Sequence, residues 1–72
     1  MSQLTRRPAV LGRYRLRLSD AAGLVLRTVE TRAHNDELAL GEAIRRLNEA
    51  ASVEVWRRAR WVGQVARSAA PI

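Results

Sequence analysis

Polar and apolar residues alternate strictly along segment 13–18, which is the clearest pattern in the chain. The odd positions are arginines and the even positions are large and apolar, so that Arg13, Arg15 and Arg17 alternate with Tyr14, Leu16 and Leu18. A period of two is typical of a β-strand with one buried and one exposed face. Asp20 and Gly23 follow at positions suited to a turn, so this strand is predicted to begin a hairpin.

The return strand of this hairpin is predicted over residues 24–32, where the alternation is less regular. Two sets of residues compete for the inward face, namely Leu24, Leu26 and Thr28 against Val25, Arg27 and Val29. An extra residue in one strand lets the pattern change face part of the way along. The sequence therefore predicts a β-bulge within this second strand.

Segment 36–51 has a helical period, because its apolar residues recur three and four positions apart. They are predicted to share one face, which is formed by Leu40, Ala43, Ile44, Leu47, Ala50 and Ala51. Asn35 is a suitable N-cap, and Asp36 and Glu37 place carboxylates at the positive end of the helix dipole. One helix cannot bury its apolar face alone, so we expect a sheet beneath it.

A second hairpin is predicted after the helix, with strands over 52–57 and 60–67 and a turn at Arg58-Ala59. This turn lacks the Asn-Gly or Asp-Gly sequence that is typical of tight hairpin loops. The element order is then strand, strand, helix, strand, strand. The simplest assembly is an α+β fold in which a four-stranded antiparallel sheet, built from two hairpins, carries one helix on one face (ββαββ).

The turn position also predicts which residues of the second hairpin share a face. A loop centred on residues 58 and 59 places Val55 opposite Val62 and Trp56 opposite Trp61. The valines are then expected to point toward the helix and the tryptophans away from it. The two predicted sets are Val53, Val55 and Val62 on one face, and Trp56, Trp61 and Val65 on the other.

The predicted domain covers residues 13–67, between a flexible arm over 1–12 and a short tail over 68–72. Pro8 and Gly12 interrupt any regular pattern in the arm. No apolar run approaches the roughly 20 residues that a membrane span requires, and no long apolar segment follows the early basic residues as it does in a signal peptide. We therefore expect a soluble, cytoplasmic protein that does not interact with membranes.

Several short stretches resemble a group of short, uncharacterised bacterial proteins with the same strand-strand-helix-strand-strand order. The stretches are Tyr14-x-Leu16-x-Leu18, Asp20 and Gly23, Asn35-Asp36-Glu37-x-Ala39, Val53-Glu54-Val55-Trp56 and Arg60-x-Val62. The resemblance covers roughly residues 13–66, and the Val-Glu-Val-Trp stretch is its most distinctive part. It implies the fold but no activity. The chain departs from the group at Arg58-Ala59, where a loop containing Gly or Asp is more usual.

Charge is distributed unevenly along the chain, which has 72 residues and a formal net charge of +6. The helical segment 36–51 carries four carboxylates and two arginines, whereas the rest carries eleven arginines and three carboxylates. All of the cationic side chains other than His34 are arginines. Coding bias accounts for the absence of lysine at least as well as a functional need for guanidinium groups does. The strands are thus strongly basic and the helix mildly acidic, which suits an anionic partner or contact between copies.

Residue types provide little support for enzymatic chemistry. The chain has no cysteine and one histidine, His34, in a predicted loop where a solvated side chain is the ordinary expectation. General-base catalysis needs a positioned partner, and zinc sites need several Cys or His ligands. Neither a nucleophile elbow nor a glycine-rich phosphate loop is present. We therefore predict no enzyme activity, no cofactor and no metal.

Binding remains as the predicted function, through the sheet face that points away from the helix. The candidate partner-binding residues are Arg13, Arg15, Arg17, Trp56 and Trp61. Arginine and tryptophan are enriched in protein-interface hot spots, and a chain this short gains stability by association. A protein partner, or a homo-oligomer formed through this face or through the edge strands, is therefore expected. The alternative is nucleic-acid binding by the same basic face. It also remains open whether one tryptophan points inward and fills the core.

Overall fold

The structure is a computed structural model that describes residues 11–67. Within this range the elements follow the predicted order, which is β1 (Gly12–Ser19), β2 (Val25–Ala33), α1 (Asp36–Arg45), β3 (Ser52–Arg57) and β4 (Arg60–Ala66). The predicted α+β class and ββαββ order are confirmed. The predicted tail and most of the arm lie outside the described residues, although Gly12 opens β1.

The four strands form one antiparallel sheet in the order β2-β1-β3-β4. β1 and β3 are therefore the central strands, and β2 and β4 are the edges. α1 carries the chain from the edge strand β2 across β1 to β3, so β2 and β3 run parallel on either side of β1. This crossover places the helix over the central strands, where it can cover the core.

The core lies between α1 and one face of β1 and β3. Its largest side chains are at most 1% exposed, and they are Tyr14, Leu16, Leu18, Val53 and Val55. The alternation along each strand delivers these residues to the same side. α1 contributes Ala39 and Ala43, both fully buried, because small side chains let the helix axis approach the sheet closely.

The α-helix is shorter than the sequence predicts, because it ends at Arg45 rather than near Ala51. A single 3₁₀ turn, Arg46–Asn48, follows it. The backbone N–H of Ala51 donates to the carbonyl oxygen of Ser19 at 2.9 Å. Residue 51 is thus already joined to the end of β1, and a continued helix would need that N–H for itself. The periodic pattern over 36–51 could not reveal this contact.

The prediction that Ile44 belongs to the buried face is wrong, since its side chain is 56% exposed. Successive helix residues point about 100° apart. α1 presents the line of Ala39 and Ala43 to the sheet, so Ile44 lies at the margin of the interface. Leu40 and Leu47 are packed against the core as predicted.

The first hairpin has the predicted turn and the predicted bulge. The carboxylate Oδ1 of Asp20 accepts from the backbone N–H groups of Ala22 and Leu24, each at 2.9 Å, and Gly23 has a φ of 88° that favours glycine. Leu18 pairs with Arg27 while the next residue pairs with Val25. One extra residue of β2 is therefore accommodated at Leu26.

The register of the second hairpin differs from the prediction in part. Trp56 lies opposite Trp61 as predicted, but Gly63 rather than Val62 lies opposite Val55. The extra residue is Val62, which packs against the core together with Val65. The prediction that Val65 shares a face with the tryptophans is therefore wrong.

Gly63 gives a physical reason for this bulge. A Cβ atom at residue 63 would lie 3.2 Å from the Cδ2 atom of Leu40 on α1. The residue opposite Val55 therefore has to be small if the helix is to lie this close to β4. Because Gly63 occupies that position, Val62 is displaced by one residue from the register that simple alternation predicts.

Ion pairs connect the exposed side of α1 to β2. Glu42 contacts Arg45 at 2.6 Å and Arg46 at 3.5 Å, while Glu49 contacts Arg46 at 3.4 Å and also pairs with Arg27 of β2. The side chains are partly or largely exposed, so each pair contributes at most about 1 kcal/mol. Their main consequence here is that these arginines already have carboxylate partners.

Two single substitutions, one at Leu16 in the core and one at Ile44 at its margin, test this description of the core. Leu16→Ala is expected to lower the free energy of unfolding by about 2–5 kcal/mol, because it leaves a cavity under α1. Ile44→Ala is expected to change it by less than about 1 kcal/mol, because the side chain is mostly in solvent. Urea denaturation followed by circular dichroism measures both. Equal losses in the two variants would show that Ile44 belongs to the core.

Candidate functional site: the Arg/Trp face and the Tyr14 cluster

The side chains of Arg13, Arg15 and Arg17 lie on the sheet face opposite α1, as the sequence predicts. All three are exposed, whereas their neighbours Tyr14 and Leu16 are buried beneath the helix. β1 is a central strand, so these arginines stand in the middle of the outer face. We call this surface, which is formed by Arg13, Arg15, Arg17, Trp56 and Trp61, the Arg/Trp face.

One row of side chains crosses all four strands of this face. Arg15 pairs with Glu30 of β2 on one side and with Trp56 of β3 on the other, and Trp56 pairs with Trp61 of β4. Directly paired residues project from the same face with their Cβ atoms about 5 Å apart. The strand order therefore places an arginine next to two adjacent indole rings.

Glu54 contacts Arg17 in the neighbouring row and Trp56 in this row. Its Oε1 atom lies 3.6 Å from Nη1 of Arg17 and accepts a hydrogen bond from Nε1 of Trp56 at 3.3 Å. The two contacts hold the indole of Trp56 and the guanidinium of Arg17 on either side of one carboxylate. Trp56 is thereby oriented before any partner arrives.

Neither tryptophan fills the core, so the inward alternative left open by the sequence does not hold. Trp61 is 53% exposed, and Trp56 is half-buried among its neighbours on the outer face. The core needs no indole because Tyr14 and the leucines of β1 occupy the space under α1. All five candidate residues therefore share one surface, although their role in binding remains a prediction.

A second polar cluster, which the sequence did not reveal, joins the start of α1 to the sheet. The hydroxyl of Tyr14 donates to Oδ1 of Asp36 at 2.8 Å. Arg60 donates to both carboxylate oxygens of Asp36, at 3.0 and 3.1 Å, and the guanidinium of Arg57 lies 5.5 Å from the ring centroid of Tyr14. We call these four residues, Tyr14, Asp36, Arg57 and Arg60, the Tyr14 cluster.

The contacts of the Tyr14 cluster shift two pKa values in opposite directions. Hydrogen bonds from Arg60, and then from Tyr14, lower the pKa of the Asp36 carboxyl below its ordinary value of 3.8. Burial, and then the hydrogen bond to Asp36, raises the pKa of the Tyr14 hydroxyl above 10.0. Tyr14 thus stays protonated and Asp36 stays ionised at neutral pH, which is the state that their hydrogen bond requires.

A buried tyrosine on a strand was the available signal for this cluster, because such a hydroxyl usually finds a partner. The sequence reasoning assigned Asp36 to the helix dipole instead. Asp36 does lie in the first turn, and Asn35 does cap α1 by accepting from the N–H of Leu38 at 2.9 Å. The choice of Asp36 as the partner of Tyr14 depends on strand order, which spacing along the chain does not give.

Other chemistry finds few groups in the described part of the chain. His34 is exposed in the connection before α1. Among residues 11–67, no cluster of three or more His, Asp or Glu side chains is placed to hold a metal ion. No helix in this range is both long enough and apolar enough to cross a membrane.

The contribution of Asp36 to stability is expected to depend on pH. Because its pKa is lower in the folded state than in the unfolded chain, the unfolded chain binds more protons in the interval between the two values. The stabilisation is complete above the unfolded value and is lost as the pH falls through the folded value. The difference in free energy of unfolding between the native chain and Asp36→Asn should therefore shrink on acidification.

Urea titrations between about pH 6 and pH 2 measure this difference. Tyr14→Phe is the matched variant, because it removes one hydrogen bond to the carboxylate while leaving the Arg60 pair in place. The free energy of unfolding of Tyr14→Phe should retain part of the pH dependence that is lost in Asp36→Asn. A difference between the native chain and Asp36→Asn that stays constant across this range would contradict the lowered pKa.

Comparison of the chain with protein-family models, with curated proteins and with solved structures finds no match in any of the three. The structure supports the strand-strand-helix-strand-strand order on which the resemblance to short bacterial proteins depends. The relationship to that group itself stays a prediction.

Proposed function

We propose that this chain is a small, non-enzymatic protein-interaction module that binds an acidic segment of a partner protein on the Arg/Trp face. The observation that carries the proposal is the row of Arg15, Trp56 and Trp61 across an exposed sheet face. A cytoplasmic location is part of the proposal, and the absence of cysteine from the sequence is compatible with it.

The two tryptophans supply the apolar part of the proposed contact. Large aromatic side chains bury much area with few rotatable bonds, and they dominate interface hot spots together with arginine. Trp61 leaves more than half of its surface available, and Trp56 is already oriented by Glu54. A partner residue that packs on this pair therefore meets a surface that is partly preorganised.

Charge selects the partner. The outer face carries Arg13, Arg15, Arg17 and Arg32 against Glu30 and Glu54. A second copy of the same face would bring like charges together, which opposes face-to-face association. An acidic segment would neutralise the arginines while its apolar residues contact the indoles, so we favour a different protein over a second copy here.

A second mode of association is favoured by a separate observation on the edge strand β2. Leu24, which directly precedes β2, and Val25 and Leu26, which begin it, are all more than half exposed. An exposed apolar edge strand offers free backbone groups to another strand. We therefore propose that homo-oligomerisation uses the β2 edge and leaves the Arg/Trp face free.

The heterologous contact can be tested with a fluorescently labelled peptide that alternates Glu and Leu. Binding is followed by fluorescence anisotropy, and Trp56→Ala combined with Trp61→Ala is expected to weaken it by at least about tenfold, or about 1.4 kcal/mol. Leu38→Ala is the matched control, because Leu38 is as exposed as Trp61 but lies on the helix. It should leave the affinity within about twofold.

Two outcomes would contradict the proposed contact. One is equal binding of the Glu peptide and a peptide with Gln in place of Glu, which would remove the role of charge. The other is that single-stranded DNA binds at about 50 mM salt while the Glu peptide does not. The second outcome would support nucleic-acid binding by the same face instead.

Self-association through β2 makes a different prediction. Sedimentation of the native chain should show a concentration-dependent dimer in the high micromolar range, and Leu26→Lys should abolish it, because a charge on an edge strand opposes pairing. The Trp56→Ala and Trp61→Ala pair should leave the dimer unchanged. A native chain that stays monomeric at these concentrations would exclude this mode.

A further inference from the structure

The arginines of the described chain divide into three groups by what they contact. Eleven arginines lie between residues 11 and 67. Five of them form ion pairs within this range, and these are Arg17, Arg27, Arg45, Arg46 and Arg60. Arg67 donates to the backbone carbonyl oxygen of Leu47 at 3.2 Å. Within the same range the other five have no carboxylate within 4 Å, and they are Arg13, Arg15, Arg32, Arg57 and Arg58.

All five of these arginines line one cleft of about 530 Å³ at the end of the sheet. The ladder between β1 and β3 ends where Arg15 pairs with Trp56. The cleft is lined by residues at the start of β1, by Glu30 and Arg32 of β2, and by Arg57 and Arg58 at the β3–β4 turn. Among the residues that line it, Glu30 is the one carboxylate.

Two of these arginines have unusual local surroundings. The guanidinium of Arg57 lies over the ring of Tyr14 and beside Gly12, where a Cβ atom would come within 2.9 Å of its Cζ atom. Arg58 has a φ of 57°, in the left-handed region that a non-glycine residue rarely occupies. The turn thus holds an arginine where glycine or asparagine would be less strained.

We infer that this cleft binds a compact oligophosphate, such as the phosphate chain of a small molecule. Guanidinium groups gathered without an ion-paired carboxylate among the described residues repel one another, and a ligand with many anionic oxygens removes that repulsion. Arginine matches phosphate oxygens with paired N–H donors, so several arginines can share one phosphate chain. The volume of the cleft lies within the ordinary range of small-molecule sites.

The shape of the cleft favours a compact ligand over a nucleic-acid strand or an acidic peptide. Extended nucleic acid is usually bound along a groove with aromatic rings at intervals. Here the unpaired charge is concentrated at one end of the sheet, and the ring of Tyr14 is already covered by Arg57. The cleft shares Arg13 and Arg15 with the Arg/Trp face but is lined by neither tryptophan, so a ligand that contacts Arg57 and Arg58 can be distinguished from the proposed partner.

Isothermal titration calorimetry of the full chain with inorganic tripolyphosphate tests the inference at about 50 and 200 mM salt. We expect saturable binding of one ligand per chain. Arg57→Gln combined with Arg58→Gln should lower the affinity by at least about tenfold. The matched control is Arg27→Gln combined with Arg45→Gln, which removes the same charge outside the cleft and should lower the affinity by less than about threefold.

A variant that preserves every charge tests whether the loss of affinity is due to the change in net charge or to misfolding. Gly12→Ala keeps every arginine but places a methyl group against the guanidinium of Arg57, whose flexible end can move away. It should retain the native circular dichroism spectrum and lose affinity for tripolyphosphate. Trp56→Ala combined with Trp61→Ala should leave tripolyphosphate binding within about twofold, which separates this site from the acidic-peptide contact.

Three outcomes would overturn the inference. The first is the absence of saturable tripolyphosphate binding at the lower salt concentration. The second is an equal loss of affinity in the two double arginine variants, which would indicate non-specific attraction to the net charge. The third is tighter binding of single-stranded DNA or of hexaglutamate at the same salt that is lost in the Arg57→Gln and Arg58→Gln double variant, which would assign the cleft to a macromolecular partner.

Discussion

The burial of one face of β1 and β3 beneath α1 is the interaction on which the rest of the structure depends. Two central strands supply the large apolar side chains, and the helix supplies alanines that allow close approach. Because successive strand residues point to opposite sides, the same backbone that fills the core also projects Arg13, Arg15 and Arg17 outward. The composition of the outer face is thus a direct consequence of how the inner face is packed.

The Tyr14 cluster connects this core to both candidate sites. Tyr14 contributes its ring to the core and its hydroxyl to Asp36, which receives Arg60 from the second hairpin. The guanidinium of Arg57, which lines the cleft, lies over the same ring. A single buried side chain therefore helps to set the position of the helix, of the β3–β4 turn and of a binding arginine. A substitution that moves the helix, the turn or Arg57 is therefore expected to change the positions of the other two.

The sequence was sufficient for the element order and the outward arginines, because local alternation and turn chemistry determine them, but it left open which face the tryptophans occupy. It was insufficient where a contact distant in sequence decides the outcome. The helix does not reach Ala51 because the N–H of that residue bonds to Ser19, and Val62 bulges because Leu40 needs the space above Gly63. The partner of Tyr14 and the convergence of five arginines likewise depend on the strand order, which periodicity along the chain does not determine.

The strict alternation in β1 also protects the fold against misalignment. A slip of one residue in the pairing of β1 would exchange its two faces and bring three guanidinium groups under the helix, where no carboxylate could accompany all of them. Since β1 has a neighbour on both sides, such a slip would disrupt two ladders at once. The arginines therefore disfavour competing strand alignments even when nothing is bound to them. Their presence in β1 is explained by this selection of one native alignment as well as by recognition of a partner.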